Sequence, residues 1–124
     1  MELDLLSLDS VAQFAEAWNA RMAPLHVLIN NAGIFSIGEP QKFSKDGYEE
    51  HMQVNHLAPA MLSILLLPSL IRGSPSRIVN VNSTVSLAIC PYYRWICYIL
   101  SCFSHFWHSV TALNDPCCSM IWIL

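Results

Sequence analysis

Charge is scarce in this sequence, and unevenly so. Only 12% of the 124 residues are Asp, Glu, Lys or Arg, against 54% apolar, and the formal net charge is −3. No Lys/Arg run or basic patch is present, which excludes a nucleic-acid-binding surface. So large an apolar fraction also excludes a disordered chain. The opening "MELDLLSLDS" has no basic n-region, so no secretory signal is read there. The localisation stays open between cytoplasmic and weakly membrane-associated through residues 95–114, and the cysteines are expected as reduced thiols rather than a disulfide framework. The cysteines form no paired CxxC, which leaves no metal site among them.

What is present divides in two. Five of the six Lys/Arg and eight of the nine Asp/Glu occur by Arg77. From Ile78 onwards only Arg94 and Asp115 are charged, while all five cysteines (Cys90, Cys97, Cys102, Cys117 and Cys118) and three of the four tryptophans lie there. The expected organisation is an ordinary globular part over residues 1–85 and a Cys/Trp-rich apolar tail over 86–124. Residues 95–114 contain no Asp, Glu, Lys or Arg, long enough to span a bilayer on length alone. Their His105, His108, Thr111 and Asn114 make that insertion weak.

In the first part the periodicity is legible. Val11, Phe14, Ala15, Trp18 and Met22 make one stripe at helical spacing, with Ser7 or Asp9 as N-cap and Pro24 beyond the end. "LHVLIN" follows, a short apolar run with an abrupt polar end, expected as a buried parallel strand. A loop with Ser44 as a cap then feeds a long helix over residues 46–72. Pro59 and Pro68 are expected to kink it and Gly73 to close it. "RIVNVN" is the next strand, completing a βαβ unit. After Val85 neither helical period nor alternation persists, so the tail is expected to be irregular.

Three short motifs then stand in order. Asn30, Asn31, Ala32 and Gly33 end the first strand; small and amide residues there let a ligand lie close to the backbone. "MQVNHLAPA" follows 22 residues later and places Asn55 inside a helical pattern, where asparagine is unfavourable without a reason. "SRIVNVNSTV" ends a strand at Ser83. Together with "LDLLSLDSV" these resemble the short-chain dehydrogenase/reductase family, in its retinol dehydrogenase-like branch. The resemblance covers residues 1–85. It implies a partial Rossmann-type α/β fold, part of a doubly wound parallel sheet, and hydride transfer between NAD(P) and a small carbonyl or alcohol. It also implies Asn55 and Ser83 as catalytic positions, and Asp4, Leu5, Asn30, Asn31, Ala32 and Gly33 as cofactor-binding ones. Asn55 would kink its helix and help hold a relay water, and Ser83 would bond the substrate oxygen. Ala58 stands where the family usually has glycine.

The same resemblance calls for a tyrosine with a lysine four residues later, because a phenol of pKa ~10 is a poor base without a nearby cation. Tyr92, Tyr93 and Tyr98 are followed at that distance by Ile96, Cys97 and Cys102, and no lysine occurs after Lys45. Arg94 is adjacent to Tyr93 and differs in shape and reach. No TGxxxGxG loop precedes Asp4 either. The expectation is a truncated oxidoreductase that does not turn over. The alternatives are a membrane-associated fragment held by residues 95–114, and a dominant-negative fragment pairing its 46–72 helix with another copy or a paralogue.

Overall fold

The computed structural model describes residues 1–36, 39–81 and 120–123. The first helix, α1, runs over Leu8–Asn19, and its N-cap is Ser7, whose Oγ accepts from the Ser10 amide at 3.3 Å. Asp9 in its first turn complements the helix dipole. Val11 and Ala15 are buried and Phe14 and Trp18 pack at the core's edge, as the stripe requires. Met22 does not join them. The chain has left the helix there with φ 54°, and Met22 is exposed.

Strand β1 spans Val27–Asn30 and pairs in parallel with β2, Arg77–Asn80, in the register Leu28↔Ile78 and Asn30↔Asn80. Its burial alternates: Leu28 and Asn30 are buried, Val27 and Ile29 half-buried. The expected strand buried on both sides therefore shows one covered face among the described residues. Leu28 packs there in a core with Val11, Ala15, Leu25, Ala58, Leu62, Leu66 and Leu70. A third strand, β3 (Met120–Ile123), pairs in parallel with the other side of β1, giving the order β2-β1-β3. The aperiodic sequence near the C-terminus did not announce it. The result is a small parallel sheet with a helical layer, a partial α/β Rossmann-type arrangement.

The segment between β1 and β2 differs from the expected 46–72 helix at both its start and its middle. Residues 43 to 49 form a turn instead, closed by an antiparallel bridge between Phe43 and Glu49, with Gly47 at φ 83°. The N-cap is Glu49, not Ser44; its carboxylate accepts from the Met52 amide at 2.9 Å. Helix α2 (Glu50–Met52) passes into a π-helical turn over Gln53–Leu57, then α3 (Ala58–Leu65) and α4 (Leu67–Arg72). Pro59, which has no N–H to give to the preceding turn, stands just after the π turn, at the second residue of α3. The break between α3 and α4 falls at Leu66, ahead of Pro68. Asn19 fastens α1 across it, donating to the Leu65 carbonyl at 2.9 Å and accepting from Ser69 Oγ at 2.6 Å. Gly73 closes α4 as expected.

No helix among the described residues is long and apolar enough to cross a membrane. The stretch 95–114 lies outside the described residues.

Candidate functional site

The π-helical turn is the centre of the site, because its side chains reach in three directions. Asn55 pairs with the backbone of Ile34 on both sides: its Oδ1 accepts from the Ile34 amide at 2.9 Å and its Nδ2 donates to the Ile34 carbonyl at 2.9 Å. The carboxamide thus acts like one more residue of a β-ladder, which explains an asparagine in mid-helix. Gly33 makes room for it, since a Cβ there would stand 3.3 Å from Asn55 Oδ1. The π turn itself, with the Ala58 amide bonded to the Gln53 carbonyl, is the irregularity expected at Asn55.

Gln53 is fully buried and reaches back to the N-terminal turn. Its Nε2 donates to the Leu5 carbonyl at 3.2 Å and to Asp46 Oδ2 at 2.8 Å, and its Oε1 accepts from Ser44 Oγ. Asp46 Oδ2 also accepts from the Leu8 amide at 2.8 Å, and that bond holds its carboxyl below the usual range, against burial and with help from Gln53. One turn earlier, His51 reaches Ser36. The neighbouring His56 is half-buried, and burial lowers its pKa.

Of the residues singled out from the sequence, Asn31 and Gly33 are exposed, and Ala32 and Ile34 alternate inward against the core. Asn30 is turned into the fold. Its Nδ2 donates to Asn80 Oδ1 at 2.7 Å and Ser63 Oγ at 3.2 Å, tying β1 to β2 and to α3, while its own buried Oδ1 has no partner. Asp4 is exposed, and its Oδ1 accepts from the Leu6 amide at 2.9 Å, shaping the turn before α1. Leu5 has its side chain in the core. Ser83 and the three tyrosines lie outside the described residues. Gln53, His51, Ser63 and Asn80 were not singled out. Asn80 alone carried a signal, standing opposite Asn30 at the end of an equal run.

A parallel sheet with helices packed on it, whose first strand ends in exposed small residues, is the architecture of open α/β folds, which bind ligands beyond the carboxyl ends of their strands. The short chain dehydrogenase family matches residues 1–103, and the chain belongs to that family. The chain is 80% identical over 85 residues to the dehydrogenase/reductase SDR family member FEY of Arabidopsis thaliana, covering 68% of this chain and 23% of that one. It is 44% identical over 82 residues to human retinol dehydrogenase 12, covering 66% and 25%. The chain thus spans about a quarter of the length of these relatives. In fold it resembles the NADPH-bound carbonyl reductase from chicken fatty liver, with a TM-score of 0.55 at 24% identity, covering 82% of this chain and 46% of that reductase.

Proposed function

We propose that this chain carries the cofactor-side scaffold of an NAD(P)-dependent oxidoreductase of the retinol dehydrogenase-like branch, and that as it stands it does not turn over. The observation that supports the scaffold is the reciprocal Asn55–Ile34 pairing, which fixes the backbone beyond the exposed Asn31 and Gly33. In this reading Asn31, Ala32 and Gly33 offer the cofactor a close backbone approach, and Asp4 offers a carboxylate at the turn before α1. Asn30 and Leu5 serve by fixing the sheet end and the turn. Asn55 and Ser83 are the residues that the family's chemistry would use in catalysis. Bound NAD(P)H would supply the hydride, or NAD(P)+ would accept it; the chain's residues would hold and orient the cofactor.

The incompetence rests on the base. No tyrosine here has a lysine four residues on, and without a cation a phenol stays protonated at neutral pH. With NADP+ and all-trans-retinol as probes, the direction that needs the base, the chain is expected to give no retinol-dependent gain of absorbance at the nicotinamide band. Retinol-dependent NADP+ reduction would overturn the incompetence. Saturable NADPH fluorescence enhancement would support the scaffold reading, and its absence would count against it.

A second reading has its own observation. Along α3 and α4 every exposed residue but the terminal Arg72 is apolar: Ala60, Ile64, Leu67, Pro68 and Ile71, with Ile64 at 65% and Ile71 at 72% exposure. A helix apolar on its outer side as well as its inner one is ordinarily covered. This favours association through that face with another copy or a full-length paralogue. Ile64→Lys with Ile71→Lys is expected to shift the chain from dimer to monomer in sedimentation velocity. An unchanged monomer in both would remove this reading.

A further inference from the structure

We propose that His51 is a proton-sensitive clasp on the segment beyond the exposed 31–33 loop: neutral, it holds Ser36, and protonated, it releases Ser36 and keeps Glu49. The proposal goes beyond the cofactor reading and holds whether or not a nucleotide binds.

The two ring nitrogens face opposite kinds of partner. Nδ1 lies 2.7 Å from Glu49 Oε1, and Nε2 lies 3.1 Å from the Ser36 amide nitrogen. Burial raises the Glu49 carboxyl, but the bonds from His51 and the Met52 amide outweigh it and leave its pKa below the ordinary value. An ionised carboxylate only accepts, so Nδ1 carries the hydrogen. A backbone amide only donates, so Nε2 must present its lone pair. Both bonds coexist only in the neutral Nδ1–H tautomer.

A second proton, taken from water at Nε2, sets one N–H against another. The Ser36 bond is lost, while the contact with Glu49 becomes an ion pair. The ring is reachable, with 34% of its side chain exposed. The surroundings accept the charge: Glu39 interacts with His51 across the loop, and Lys42, paired to Glu39 at 2.6 Å, is the cation beside them, itself also near Glu50. Three carboxylates thus face one ammonium and the imidazole.

The next anchor is of a different kind. Ile34 is held by the Asn55 carboxamide, which does not titrate over this range. Acid is therefore expected to free Ser36 while Ile34 stays fixed, so the two amides serve as probe and internal reference. Both can be followed in the full chain by NMR amide exchange between about pH 8 and about pH 5, corrected for intrinsic base catalysis. Losing one hydrogen bond should reduce Ser36 protection about fivefold, in step with the His51 ring signals, with Ile34 unchanged. In His51→Gln a carboxamide oxygen replaces the Nε2 lone pair, and Ser36 protection should become independent of pH. Constant Ser36 protection through the His51 titration would overturn the clasp, as would the same loss persisting in His51→Gln. The comparison of Ser36 with Ile34 needs no variant, so it stands even where His51→Gln fails to fold.

Discussion

Gly73→Ala is expected to destabilise the chain by about 3 kcal/mol or more, the largest effect of a methyl added to any of the described glycines. A Cβ at Gly73 would fall 2.3 Å from the Leu25 carbonyl oxygen, 2.6 Å from its carbon and 2.9 Å from its nitrogen. All three are backbone atoms, so no rotamer change relieves the clash. Nor can Leu25 easily retreat: its amide donates to the Ser69 carbonyl at 2.9 Å, and its side chain is fully buried. The glycine is needed here for close approach, since its φ of −89° is open to any residue. Gly47→Ala is the contrasting case. Gly47 has φ 83° with nothing within 4 Å of a built Cβ, so only backbone strain of about 1 kcal/mol is expected. Urea midpoints of the two variants separate these causes; equal losses would show that the Leu25 backbone yields. Against a typical total stability of roughly 5–15 kcal/mol, the Gly73 variant should also show a visible loss of soluble protein.

The same contrast explains what the sequence could disclose. Val27–Asn30 and Arg77–Asn80 were legible as strands because short apolar runs with abrupt polar ends leave few alternatives. Gly73 was legible as a helix end, but not as the point where two backbones meet, which depends on residues 48 positions apart. The helix after the loop was placed too early because Ser44 has the chemistry of a cap; in the fold its hydroxyl serves Gln53 and the Asp46 amide. The π turn leaves no mark in an apolar period, although Pro59 stands just after it. In the site, Asn55 stood out because asparagine is costly in mid-helix. His51 and Gln53 did not, since a polar residue at helical spacing reads as solvent-facing until its partners, at Ser36 and at Leu5, are known. Four residues at the C-terminus are too few to show a strand period, so β3 emerged only with its register against β1.

Gln53→Leu is expected to cost about 2–3 kcal/mol although it keeps the side chain's volume and adds apolar surface to a fully buried position. Leucine would leave the Leu5 carbonyl without the Gln53 donor, Ser44 Oγ without its acceptor, and Asp46 with one donor fewer. Desolvated groups left unpaired cost more than the buried methyls return. The effect should be largest where the network joins separate pieces of chain, since Gln53 links the turn before α1, the 43–49 turn and the π-helical segment. The pH profile gives an independent check. Asp46 has a depressed pKa in the folded state, so its contribution is present above the unfolded-state value and is lost as pH falls through the folded one. The Leu8 amide bond, the larger cause of the depression, stays in place, so removing the Gln53 donor moves the folded value only part of the way back and the acid limb of the stability curve should flatten in part. A variant with native midpoint and an unchanged acid limb would mean that the network is not what holds Leu5 and Asp46 together. A lowered midpoint with a flattened limb ties both to the single buried carboxamide at the start of the π turn.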